Sequence, residues 1–186
     1  MVSRVVICTR ALCLALLSAP LLSQSTTSAY VGQEARSVKA LSSDEIDAYL
    51  AGKGMGLAKA AELNGYPGPA HVLELVEQLH LTAAQVTATQ SVHARMLARA
   101  QSVGSDLVNA ERNLDALFAS KTINAERLRD SLERIGGLQA ALREAHLAAH
   151  LEQFAILDET QKALYFQLRG YAESASGSGH HSHEHH

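Results

Sequence analysis

Between Ala83 and Ser120 the positions Val86, Thr89, His93, Met96, Ala100, Val103, Leu107, Ala110, Leu114 and Leu117 follow one another at alternating spacings of three and four. That spacing keeps them on one face of a helix and predicts a single long helix over 83–120. Lys121 to Ile123 read as a short turn and Asn124 as the next N-cap. Beyond it, Leu128, Ile135, Leu142, Ala149 and Ile156 repeat every seven residues and predict a second long helix. Two such rods on a short turn are expected to pair as an antiparallel hairpin. Gly136-Gly137 interrupts the second rod at a cost of about 2 kcal/mol relative to Ala-Ala, so a closely approaching neighbour or a kink is expected there.

The starts of the helices are written in capping residues. In Leu81-Thr82-Ala83-Ala84-Gln85, Thr82 caps the long helix while Gln85 reaches back to the Thr82 amide, a capping box. Leu157-Asp158-Glu159-Thr160-Gln161 repeats the device, with Asp158 as cap, ahead of a last helix carrying Leu164, Tyr165 and Leu168. Upstream, residues 30–42 show no period and are expected to be a flexible arm. Ser42, Asp44 and Glu45 then open a short helix from Asp44 to about Ala51. Gly52, Gly54 and Gly56 break it around Met55, and a second short helix is expected from Leu57 to Leu63. Asn64-Gly65 ends that helix, Pro67-Gly68-Pro69 makes a rigid turn, and a further helix runs from Pro69 to near His80. These elements predict an all-α domain over 43–172, a long antiparallel helical hairpin with shorter flanking helices.

The two ends read differently. Arg4 and Arg10 precede the apolar run Ala11 to Leu22, and small residues lead to Ala29, the order of a secretory signal peptide over 1–29 with cleavage after Ala29. The competing reading is a retained anchor, but a spanning helix needs ~20 apolar residues, and Pro20 interrupts this shorter run. Ser174 to Gly179 reads as a linker within a flexible tail, 173–186, that ends in His180, His181, Ser182, His183, Glu184, His185 and His186.

Composition narrows the function classes. At 186 residues one domain is expected, and 47% hydrophobic but only 4% aromatic residues with no Trp favour a helical core of Ala, Leu, Val and Ile. Cys8 and Cys13 both lie within the expected signal peptide, so the processed chain is expected to have neither thiol nor disulfide. Removing Arg4 and Arg10 leaves 14 basic against 19 acidic residues, a net charge of −5, which argues against nucleic-acid binding. All ten histidines survive processing.

Leu81 to Gln85 is a full LTxxQ motif, and Leu157 to Gln161 is a second copy with Asp158 where the motif has Thr. With a long helical pair between the copies, the stretch from about Pro69 to Tyr171 resembles the LTxxQ-motif family of periplasmic proteins of the Spy, CpxP and ZraP type. Gly54-Met55-Gly56-Leu57 through Asn64-Gly65-Tyr66-Pro67-Gly68-Pro69 is similar to a subgroup described as periplasmic heavy-metal sensors. The resemblance implies a dimeric four-helix cradle without a catalytic centre, whose partners are unfolded envelope proteins. A CnrX-like reading makes it a regulatory partner of a membrane sensor kinase. The acidic charge departs from the basic Spy-type cradle and weakens charge attraction to clients.

Candidate chemistry rests on imidazole. His146 and His150 are four apart on one helix and can share a divalent metal, Zn or Cu, with Ni a further option; the alternative is that they edge the apolar stripe. His71 lies in the first turn of its helix, where the dipole favours neutral imidazole, and with Met55 it makes a set suited to copper or another borderline ion; the alternative is a solvent-facing side chain. His93 and Met96 sit on the buried stripe and are expected to be core. His180, His181, His183, His185 and His186 read as a metal-buffering tail, the alternative being an added purification tag. No serine-nucleophile elbow, His-Glu-x-x-His or phosphate-binding glycine loop is present, and the chain is not expected to be an enzyme.

Overall fold

The computed structural model describes residues 27–171. The chain divides into two units, Met1–Gly32 and Gln33–His186. Of the first, residues 27–32 are described and form turns, with the Val31 N–H donating to the Ser28 carbonyl at 3.3 Å. Residues 1–26 of the expected signal peptide, and the tail with His180, His181, His183, His185 and His186, lie outside the described residues. No helix among the described residues is long and apolar enough to cross a membrane.

The second unit is all-α: α1 (Ser43–Leu50), α2 (Lys59–Glu62), α3 (Pro69–Glu74), α4 (Ala83–Ala119), α5 (Ala125–Ile156) and α6 (Glu159–Leu168), with no strand among the described residues. The capping residues set its helix starts. Thr82 Oγ1 accepts the Gln85 N–H at 3.2 Å while Gln85 Oε1 accepts the Thr82 N–H at 3.0 Å. Asp158 and Gln161 make the same reciprocal pair at 2.8 and 3.1 Å. Ser42 with Glu45 starts α1 likewise, and Asn124 caps α5 through the Arg127 N–H.

Helices α4 and α5 pack along each other around Ala100, Val103, Leu107 and Ala110 on one side and Ile135 and Leu142 on the other. These are the inward positions of the two stripes, and burying them is what holds two such long helices together. Val72, Leu79, Leu157 and Tyr165 form a second cluster that seats α6. Helix α1 crosses α4 at Gly104, where an added Cβ would stand 2.2 Å from the Tyr49 carbonyl oxygen.

The two capping glutamines also meet each other. Gln85 Nε2 donates to Gln161 Oε1 at 2.7 Å and Gln161 Nε2 to Gln85 Oε1 at 3.1 Å. The same amides donate to the Ile156 and Leu79 carbonyls, at 3.0 and 3.2 Å. The two motifs, far apart in sequence, thus form one hydrogen-bonded knot at the point where α4 begins and α5 ends.

Four expectations need correction. The second short helix is only α2, because Leu57 and Ala58 are spent in the turns Leu57 N–H to Gly54 O and Lys59 N–H to Gly56 O. Helix α3 stops at Glu74 rather than near His80; successive turns carry the chain on to His80, whose φ of 50° ends any helical run. The stretch 30–42 is not a free arm throughout, since Val38 and Leu41 are buried with Val108 under α1. Gly136 and Gly137 face open space with no neighbour against them, and α5 runs through them without interruption.

Candidate metal-binding cleft

Where α2 and α3 lean on the long helices they leave a cleft of about 560 Å³. It is lined by the glycine loop 52–56 and by the turn into α3, Gly68 to His71. The floor is built by helical spacing: His93, Met96 and Leu97 from α4, and His146, Ala149 and His150 from α5. Positions i, i+3 and i+4 share a helix face, so each helix delivers its donors together. The loop wall is held in a strained form, with Met55 at φ 45° between two glycines, a conformation that an L-residue with a long side chain rarely adopts.

The cleft gathers His71, His146, His150 and Met55. It also contains His93 and Met96, which were expected in the core; both are half-buried, and Met96 packs on the central cluster while also lining the cleft. His146 and His150 are buried rather than edging the stripe, at 5% and 9% exposure.

Each ring is oriented by a specific partner. His150 Nδ1 lies 2.8 Å from the Tyr66 carbonyl oxygen. A carbonyl only accepts, so Nδ1 carries a proton, and in the neutral ring Nε2 is the nitrogen that holds the lone pair. Nε2 lies so close to Gly68 that a Cβ there would be 3.1 Å away. His71 Nδ1 is 3.1 Å from Glu74 Oε2, an exposed pair three residues apart that leaves Nε2 as the ring's other nitrogen. This histidine-to-acceptor arrangement is what orients metal-binding imidazoles.

His146 differs, because its Nε2 is buried with no hydrogen-bond partner. Burial, and then the neighbouring His150, push its pKa below the ordinary histidine value, so the neutral, ligating form dominates. In a proton-NMR titration the His146 ring resonances are expected to shift below the ordinary midpoint of ~6.5. Because the folded protein resists this protonation, the stability it contributes is full above the ordinary histidine range and is lost as pH falls through the depressed folded value. A His146 midpoint at or above that of an exposed histidine would contradict the buried, unpartnered ring.

Glu62 was not singled out from the sequence, where it is one more helical carboxylate. Its Oε1 accepts from Tyr165 Oη at 2.7 Å, from Arg169 Nε at 3.3 Å and from Tyr171 Oη at 3.3 Å. Oε2 lies 3.8 Å from His150 Nδ1 and has no hydrogen-bond partner. Burial, reinforced by the Glu62 hydrogen bond, pushes the Tyr165 phenol well above its usual range, so it stays a donor.

As the side chains stand, no three His, Asp or Glu groups among the described residues are close enough together to hold one ion. The donor chemistry fits a transition metal: imidazole nitrogens with free lone pairs, a carboxylate oxygen and two thioethers on one cleft, two of the polar atoms buried and unpartnered. Comparison with family models, with curated proteins and with solved structures returned no match to this chain.

Proposed function

We propose that this protein is an exported, periplasmic accessory protein of envelope stress that binds a divalent transition metal, zinc or copper, in the cleft between α2, α3 and the long helices, and that it is not an enzyme. The reading takes the hairpin with its flanking helices as a Spy/CpxP-type cradle, working as a homodimer, with the histidine tail as a second metal-holding segment. One observation carries it: His71, distant in sequence from His146 and His150, lines one cleft with them and with Met55, two of the rings paired through Nδ1 and the third with a bare buried Nε2. An unpartnered buried polar atom costs about 1–3 kcal/mol, and a metal ion would relieve that cost.

The test is calorimetric titration of the processed chain with Zn²⁺ and Cu²⁺. It compares the natural sequence, a variant with the five tail histidines changed to serine, and that variant with His71→Ala, His146→Ala and His150→Ala added. The serine-tailed protein is expected to retain one site, which the triple substitution abolishes. If neither ion binds the serine-tailed protein more tightly than millimolar, the cleft reading fails.

A second reading, a metal-independent chaperone for unfolded envelope proteins, draws support from Phe118, Leu132 and Leu151, each at least half exposed on the long helices. It predicts suppression of client aggregation that is unchanged by chelator, whereas the metal reading predicts suppression that follows metal loading. A third, docking on a membrane sensor kinase, predicts capture of the kinase's sensor domain.

A further inference from the structure

Glu62 is a half-buried carboxylate used on one side only. Oε1 accepts three donors from the C-terminal end of the chain, the Tyr165 and Tyr171 hydroxyls and the Arg169 guanidinium. Oε2, on the same carbon, has none, although it is buried and lines the cleft. A carboxylate can use both oxygens at once, and desolvating one without a partner is costly. The missing partner for Oε2 must come from the cleft side, where His150 presents its nearest nitrogen at 3.8 Å, too far for a hydrogen bond.

We propose that Glu62 is a shared carboxylate, giving Oε2 to the cation held in the cleft while Oε1 keeps the Tyr165–Arg169–Tyr171 latch, so that filling the cleft tightens the docking of α6. This rests on the metal reading of the cleft and adds to it both a donor and a consequence. The donor is a hard oxygen beside imidazole nitrogens, a set that suits Zn²⁺. The consequence follows from geometry. Glu62 sits on α2, a four-residue helix that contacts α5, and its carboxylate links that helix to α6. Fixing the carboxylate from the cleft side fixes the acceptor on which Tyr165, Arg169 and Tyr171 converge. Helix α6 is otherwise held by Tyr165 and Leu164 in the second apolar cluster and by the glutamine knot at its start. Cleft occupancy therefore acts on the far end of α6, at Arg169 and Tyr171.

The test uses the processed full-length chain with His180, His181, His183, His185 and His186 changed to Ser, and Zn²⁺ as the probe. It reads affinity by calorimetry and α6 by amide hydrogen exchange. Zn²⁺ is expected to slow exchange across α6 several-fold. Glu62→Gln, which keeps an acceptor for Tyr165, is expected to weaken Zn²⁺ binding about tenfold or more and to abolish the slowing. Tyr165→Phe with Tyr171→Phe is expected to leave Zn²⁺ affinity nearly unchanged and still abolish the slowing; this pair decides the matter if Glu62→Gln loses helicity by circular dichroism. Unchanged α6 exchange in a protein that binds Zn²⁺, or equal affinity in folded Glu62→Gln, overturns the shared carboxylate and leaves the cleft reading standing. Absence of any Zn²⁺ binding to the serine-tailed chain overturns the cleft reading itself, and the coupling with it.

Discussion

Gly104→Ala is expected to destabilise the protein by about 3 kcal/mol, the upper range for forcing an extra methyl into a packed site, although alanine is the better helix former. The new Cβ would stand 2.2 Å from the Tyr49 carbonyl oxygen and 2.9 Å from its carbon, and a backbone cannot swing aside as a side chain can. Helix α1 must lift off α4, loosening Tyr49, Ile46 and the Val38–Leu41–Val108 cluster beneath it. The gain in propensity, about 1 kcal/mol, is too small to offset that. Gly136→Ala and Gly137→Ala reverse the sign: nothing stands within 4 Å of either Cβ position, so together they should add about 2 kcal/mol. Urea denaturation of the three variants measures both effects. A Gly104→Ala protein as stable as the natural one would mean that α1 does not cross there.

The second large effect belongs to the glutamine knot. In Gln161→Glu an oxygen replaces the amide that donates to Leu79 O and Gln85 Oε1, so two donor–acceptor contacts become contacts between acceptors, and a charge enters a site that is 8% exposed. Losing these two hydrogen bonds, with a carboxylate oxygen turned toward both acceptors while Gln85 Oε1 keeps the Thr82 N–H, is expected to cost about 2–4 kcal/mol at neutral pH. The substituted carboxyl should have a raised folded pKa. The penalty is therefore full above that value and is recovered as pH falls through it toward the ordinary glutamate value of ~4.3. Thermal melts of Gln161→Glu and Gln161→Ala across pH check this. If the penalty does not shrink in acid for the Glu variant, or shrinks equally for Ala, the acceptor clash is not its cause.

Much of the candidate site could be anticipated in kind but not in membership. The four-residue spacing of His146 and His150 is enough to place both rings on one helix face, and the Met55–His71 association follows from short chain separation across a turn. His93 and Met96 fit the buried stripe just as Ala100 and Val103 do, and α4's own period cannot say that the glycine loop and α3 leave a cleft beside them. Glu62 carries no local mark at all; its importance arises from Tyr165, Arg169 and Tyr171, about a hundred residues later.

The all-α class, the long helices α4 and α5, and the starts of α1, α4, α5 and α6 could be read from the order of residues alone. All of these are local: a period of three and four, or a side-chain oxygen reaching an amide three residues on. Packing in three dimensions was needed to show that the two capping glutamines bond to each other, that Gly104 is a crossing point while Gly136 and Gly137 lie open, that α3 stops at Glu74, and which imidazoles share a cleft. A glycine or a histidine looks the same in a sequence whether its neighbour in space is solvent, a carbonyl or another ring. That neighbour is set by how whole helices pack, through contacts between residues that the chain holds far apart.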